Sequence, residues 1–159
     1  MKSKSLLISI LLLYFSTAIS INGQSTENIN WISFNQLNDS LKVHPKKVFV
    51  NFYADWCVYC KEMDRTTFRD DEVIKKLNES YYAVKMNIET DEKIVFGAET
   101  FVNKRTKRVN PIHEIALLLA SRKNKPFSLP AYIVFNENFE AEARYFQYLD
   151  VPAFLKIIE

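Results

Sequence analysis

The sequence of 159 residues predicts an α/β domain with a central mixed β-sheet flanked by helices. Three observations predict it. The run Val48 to Ala54 (VFVNFYA) is β-branched and aromatic, the composition of a strand buried on both faces, and it hands over at Trp56-Cys57-Val58-Tyr59-Cys60-Lys61 to helix-forming residues. Tyr81 to Ile88 (YYAVKMNI) alternates as a second strand after an intervening helical stretch. Pro130-Ala131 then opens a third buried strand, YIVF, followed by one more strand and a terminal helix.

Met1 to Ser20 reads as a signal peptide outside the fold. Lys2 and Lys4 form a positive n-region, Leu6 to Phe15 an apolar h-region short for a bilayer span, and Ala18-Ile19-Ser20 a small-x-small cleavage site. Left uncleaved, the same segment would serve as a membrane anchor. Export places the remainder in a compartment that permits disulfides, the periplasm. Loss of Lys2 and Lys4 takes the formal charge from +2 to about zero, so no charge signal for nucleic acid remains. About 139 residues are then left, enough for one domain with its own core. Two Gly in the whole chain argue against flexible linkers. The domain is placed at 31–159, after a flexible segment at 21–30.

Trp31 to Val43 is predicted as a helix, with Phe34, Leu37 and Leu41 at helical spacing, Ser33 as N-cap and His44-Pro45 ending it. Trp31 is read as a core anchor and His44 as an exposed turn residue. Thr66 to Ser80 reads as a break and then a helix capped by Asp70 or Asp71, with Val73, Ile74 and Leu77 as its apolar face. Ile94 to Asn110 is an inserted stretch. IVF-GAE-TFV suggests a hairpin around Gly97, and Lys104 to Arg108 (KRTKR) is either a solvated loop or a docking surface for an acidic partner or anionic headgroups. Asn110 as cap and Pro111 at the first helical position predict a helix to Ser121, with Ile112, Ile115, Ala116, Leu118 and Leu119 facing the core and His113 in its first turn. Glu142 to Tyr148 is predicted as the last strand, and Asp150 or Val151-Pro152 opens a helix ending at Glu159.

The chemistry concentrates at the cysteines. A helix N-terminus carries unpaired N–H groups and partial positive charge, so a thiolate at Cys57 is stabilised and its pKa should fall below about 8.5. Cys60, one turn on, is placed to close a disulfide, the arrangement of an attacking and a resolving sulfur. Other readings are weaker. A structural staple across so short a loop would contribute only about 2 kcal/mol. Zinc usually takes four Cys or His ligands, and the only histidines, His44 and His113, are far apart in sequence, so no metal is expected. Haem attachment requires His after the second Cys, where Lys61 stands.

YADWCVYCK resembles the thioredoxin superfamily active site, which commonly reads Trp-Cys-x-x-Cys-Lys. It is more similar to the C-terminal thioredoxin-like domain of the periplasmic DsbD interchange proteins, which shares a YADWCVxCK run, an acidic helix and a Thr-Phe-x-Asp segment, here EMDRTTFRDDEVIKKL. The resemblance is good from Lys46 to Asn87 and holds in outline beyond. It implies a thioredoxin fold and dithiol–disulfide exchange, with Cys57 and Cys60 catalytic and no cofactor beyond their redox-active disulfide. It also implies a cis Leu129-Pro130 bond, so that Leu129 and Pro130 flank the substrate groove with Trp56 and Tyr59 beside the sulfurs. The partners implied are protein disulfides and a membrane or periplasmic thiol donor of electrons, with the protein itself a monomer.

Two departures stand out. The superfamily usually has a buried Asp where this chain has Asn51, which cannot take a proton and reads as a buried amide. Asp64, four residues after Cys60 on the same helix face, is the candidate general base in its place. Gln147 stands where the family has a Gly lining the groove, narrowing it. Between the cysteines Val58 and Tyr59 carry no charge, which favours the reducing end of a range of about 150 mV, or roughly 7 kcal/mol. An oxidase or isomerase, and a thioredoxin-fold module that only binds partners, are the alternatives.

Overall fold

The computed structural model describes residues 28–159; the expected signal peptide and the part of the 21–30 segment before Asn28 lie outside the described residues. Five strands form the main sheet: β1 (Trp31–Ile32), β2 (Lys47–Tyr53), β3 (Tyr81–Asn87), β6 (Ala131–Phe135) and β7 (Ala141–Tyr145), in the order β1-β3-β2-β6-β7. The first three are parallel, and β6 and β7 are antiparallel to their neighbours, so the sheet is mixed as predicted. β4 (Ile94–Phe96) and β5 (Glu99–Phe101) form a separate hairpin. The helices are α1 (Phe34–Val43), α2 (Val58–Arg65), α3 (Asp71–Ser80), α4 (Glu114–Ala120) and α5 (Val151–Ile157), with a 3₁₀ turn at Thr67–Arg69.

The alternation of β2 sorts the core. Val48, Val50 and Phe52 face a cluster shared with Phe34 and Leu37 of α1 and Ile115, Ala116 and Ala120 of α4. Phe49 faces the opposite cluster, with Met63 of α2, Val73, Ile74 and Leu77 of α3, and Phe154 of α5. That second layer is aromatic. Phe49 meets Phe154 edge-on at 5.2 Å and stacks on Tyr132 at 5.8 Å, while Trp31 meets Phe68 edge-on at 5.3 Å. These are the offset and T-shaped arrangements that ring quadrupoles favour.

Several boundaries differ from the sequence expectation, each for a local reason. Trp31 lies in a two-residue strand beside Ala83 of β3, not in a helix. Ser33 starts the helix instead, its hydroxyl accepting from Gln36 N while the Gln36 side chain accepts from Ser33 N, a full capping box. Asn28 to Asn30, expected to be loose, are tied down: Ile29 is buried, Asn78 bonds both Asn28 and Asn30, and Arg69 donates to Asn28. α4 begins at Glu114, three residues after Pro111. Asn110 is left-handed with φ 57°, and His113 is the cap, its Nδ1 accepting from Ile115 N. Leu118 points to solvent, against expectation, while Ile115, Ala116 and Ala120 are buried. β7 ends at Tyr145 and α5 at Ile157, both short of expectation.

The hairpin around Gly97 is present, with φ of 63° at that glycine, a conformation L side chains rarely adopt. It docks on α1. Asn35 and Asn38 accept from the backbone of Val95 and Gly97, and Phe96 packs on Phe34 at 5.8 Å. The basic stretch after it is anchored by Glu114, which accepts from Val102 N and pairs with Lys104; these partners hold its carboxyl below the usual range.

Candidate active site

The chain leaves β2 at Tyr53, makes a tight turn, with Cys57 N–H bonded to Ala54 C=O, and enters α2 at Val58. Cys57 is the N-cap, a position usually held by an oxygen-bearing side chain. Its Sγ accepts the backbone N–H of Cys60 at 3.1 Å. The two cysteines form a disulfide with Cα atoms 5.3 Å apart, and each is 4% exposed. They lie in one packed cluster with Ala54 of the turn and with Ala131, and Leu129 packs against it.

Around the buried sulfurs stands an exposed apolar fringe. Trp56, Val58 and Tyr59 are 56%, 72% and 63% exposed. Trp56 is fixed from its polar edge, where Nε1 donates to Glu89 Oε1 at 2.8 Å. Tyr59 leans towards Tyr148, ring centroids 6.4 Å apart, and Tyr148 Oη lies 3.4 Å from Thr66 Oγ1. The peptide bond Leu129-Pro130 is cis and Pro130 is buried. Pairing of Ala131 with Phe52 brings Pro130 to the end of β2 from which the cysteine turn departs.

Beneath α2 runs a polar row across three strands. Asn51 is buried, 2% exposed, with Lys85 as its register partner on β3 and Tyr132 on β6. Lys85 Nζ crosses to α2 and meets Asp64 Oδ1 at 2.6 Å, while sitting 5.0 Å from the centre of the Tyr53 ring. Burial, with the Asp55 and Asp64 charges adding to it, holds the Tyr53 phenol above its usual range. Tyr132 is fully buried and its hydroxyl has no hydrogen-bond partner among the described residues. Burial above all, with Asp64 and Tyr148 nearby, keeps that phenol well above the ordinary range.

The structure thus brings Cys57, Cys60 and Leu129 together, frames them with Trp56 and Tyr59, and holds Asp64 on the following turn in an ion pair. Sequence reasoning missed Lys85, Glu89 and Tyr148. Their only signal was position: Lys85 and Glu89 stand in and after the strand beside β2, and Tyr148 follows Gln147, itself exposed.

Comparison with known proteins gives the same picture. Over 70 residues the chain is 37% identical to the thiol:disulfide interchange protein DsbD of Colwellia psychrerythraea, an alignment that covers 42% of this chain and 12% of that protein. The chain therefore corresponds to a small part of the length of that relative. Among solved structures, a thioredoxin from Thermus thermophilus superposes with a TM-score of 0.57 at 18% identity, covering 82% of this chain and 85% of that one. The reduced C-terminal domain of Neisseria meningitidis DsbD gives a TM-score of 0.50 at 21% identity, covering 77% and 87%. The fold is that of thioredoxin, with a Cys57–Cys60 pair at disulfide distance suited to thiol–disulfide exchange. A family model described as a thioredoxin-like domain matches residues 34–159, and the chain belongs to that family.

Proposed function

We propose that this protein is an exported thiol–disulfide oxidoreductase that reduces protein disulfides in the periplasm. The observation that carries the reading is the sulfur at the helix cap: Cys57 Sγ already accepts the Cys60 N–H at 3.1 Å, a bond that strengthens when the sulfur is an anion. The reduced Cys57 thiolate attacks one sulfur of a substrate disulfide. A mixed disulfide forms, and the other substrate sulfur leaves as a thiolate and takes a proton. Cys60 then loses its proton and attacks Cys57 Sγ, closing the Cys57–Cys60 bond and releasing the second substrate thiol. Two electrons pass from the enzyme dithiol to the substrate disulfide, and no bound cofactor takes part.

Asp64 is the group assigned to receive the Cys60 proton, because Asn51 has no acid to offer and Asp64 follows one turn later on the same helix. Trp56 and Tyr59 shield and shape the sulfur site, and Leu129 and Pro130 line the strand edge where substrate backbone lies. The oxidised enzyme is returned to the dithiol by a thiol donor, a membrane relay or a periplasmic partner, since the periplasm is kept oxidising. The enzyme acts as a monomer on protein substrates, with no nucleic acid involved. The absence of a charged residue between the cysteines supports the reducing direction.

Replacing Cys60 with Ser in the exporting cell tests the whole reading. The variant should accumulate mixed disulfides through Cys57, and the trapped proteins should be recovered with their own cysteines reduced when the wild-type enzyme is present. A redox potential near that of strong oxidases, about −120 mV, would reverse the direction.

A further inference from the structure

Beside Trp56 lies a groove of about 490 Å³. Its floor is apolar: Ile88 at the end of β3, Ile112, Leu117 of α4, and Phe127. Its rim is basic, with Arg105 from the inserted stretch and Arg122 and Lys125 from the loop before Pro130. No Asp or Glu lines it. Lys107, Arg108 and Lys123 stand near these in sequence, and among the described residues none of the six cations is in an ion pair. Two carboxylates beside the groove are already engaged: Glu89, next to Ile88, with Trp56 Nε1, and Glu114 of α4 with Lys104 and Val102 N–H. Val109, on the inserted side, is 93% exposed although it lines the groove.

The groove is built, not a gap between mobile loops. Arg122 is clamped over the Phe146 ring at 4.0 Å and donates to Ser128 Oγ at 2.6 Å. The Arg105 backbone N–H donates to Asn103 Oδ1, and Asn103 donates to Thr90 C=O, which fixes the inserted stretch to the main domain. One wall is Trp56, whose neighbour is the attacking cysteine. A chain seated in this groove therefore leads directly to the sulfur.

We infer that this groove is the specificity site of the exchange reaction and that it takes an acidic segment of the substrate protein, carrying an apolar residue close to the disulfide. The inference rests on the exchange reading above and names its substrate class. The apolar floor accepts one side chain, and the unpaired cations at the rim attract the carboxylates on either side of it. A polypeptide fits better than a lipid surface, because the apolar residues line a concave groove between Trp56, α4 and the 121–127 loop, while a bilayer meets a flat or convex patch.

Two matched peptides test it. Each carries one Leu-Cys pair and is dimerised through its disulfide; glutamates flank the pair in one and lysines in the other. The reduced protein should reduce the glutamate peptide about 10-fold faster at low ionic strength, with the ratio falling towards one at high salt. Arg105→Glu with Lys125→Glu should invert the ratio, an outcome general damage cannot produce, since damage lowers both rates together. Serine analogues of the peptides, followed by tryptophan fluorescence, read the groove without any redox step. Binding of the acidic analogue with no turnover of either disulfide peptide would uphold the groove and sink the exchange reading. Equal rates for the two peptides in the wild-type protein would overturn the groove. Binding of anionic phosphatidylglycerol vesicles with no binding of the acidic analogue would overturn it in favour of a lipid surface.

Discussion

Lys85 Nζ of β3 and Asp64 Oδ1 of α2 lie 2.6 Å apart, and Lys85 stands beside Asn51 in the register of β2 and β3, the position at which the sequence resemblance implies an acid. If Asp64 takes the proton of Cys60, Asp64→Asn should slow resolution of the mixed disulfide by about 100-fold. Formation of the mixed disulfide should change little, since Cys57 supplies that step. The two side chains of the pair are 21% and 35% exposed, so the ion pair itself contributes only about 0.2–1 kcal/mol and the variant should remain folded. Stopped-flow measurement of both steps separates them. Equal slowing of both, or loss of folding, would count against a proton-transfer role.

The cap geometry at Cys57 makes a separate prediction. With the disulfide reduced, the sulfur faces the Cys60 N–H and the positive end of α2. Cys57 should ionise more readily than a free thiol, whose pKa is about 8.5. Cys60 lies inside the first turn and not at the cap, so it lacks that stabilisation and should alkylate more slowly over the same range. The pH dependence of alkylation, followed by mass spectrometry, gives the Cys57 midpoint. A Cys57 midpoint at or above the free value would remove the basis of the exchange mechanism.

Much of this was legible because it is local. The β2 run, the cysteine turn and the capping residues Ser33 and Asp70 each depend on a few neighbouring side chains, and all stand where the sequence puts them. What failed had a competing local signal or a distant cause. Asn110-Pro111 has the form of a helix start, yet Asn110 is left-handed and the chain runs on so that His113 N–H can bond Ile88 C=O at 2.8 Å. Trp31 shares helical spacing with Phe34, but the Ser33 cap separates them and leaves Trp31 to pair with β3. The Lys85–Asp64 pair, the Trp56–Glu89 bond and the groove beside Trp56 join segments tens of residues apart. Only the parallel register of β2 and β3 and the docking of the inserted stretch bring them together, and neither is written in any single window of sequence.

His113 should make stability depend on pH. It is fully buried, and burial lowers its pKa despite the opposing bond to Glu92 and the nearby carboxylates. Nδ1 accepts from Ile115 N, so the ring is neutral with its proton on Nε2, which donates to Glu92 C=O at 3.0 Å. Protonating Nδ1 would break the cap of α4. Because the folded pKa lies below the unfolded value of about 6.5, the unfolded chain takes up the proton first as pH falls. The stability held by neutral His113 is therefore complete above about pH 6.5 and declines below it, by at most about 1.4 kcal/mol per pH unit. His113→Asn keeps a side-chain acceptor at the cap but does not titrate. Its melting temperature should fall less between pH 7 and pH 5 than that of the wild type. Parallel curves for the two proteins would show that His113 does not carry the effect.

Tyr132 offers a test of whether the polar row under α2 is there for stability or for chemistry. Its ring is packed on Phe49 and against Phe154, but its hydroxyl is buried without a partner among the described residues. An unpaired buried hydroxyl costs about 1–3 kcal/mol, so Tyr132→Phe, which keeps the ring, should raise stability by about 1 kcal/mol in urea unfolding. The same phenol lies within electrostatic reach of Asp64. If the hydroxyl is tolerated because it tunes Asp64, the stabilised variant should also resolve mixed disulfides more slowly. A variant that is both more stable and fully active would assign the hydroxyl no part in catalysis and leave Asp64 and Lys85 as the working pair.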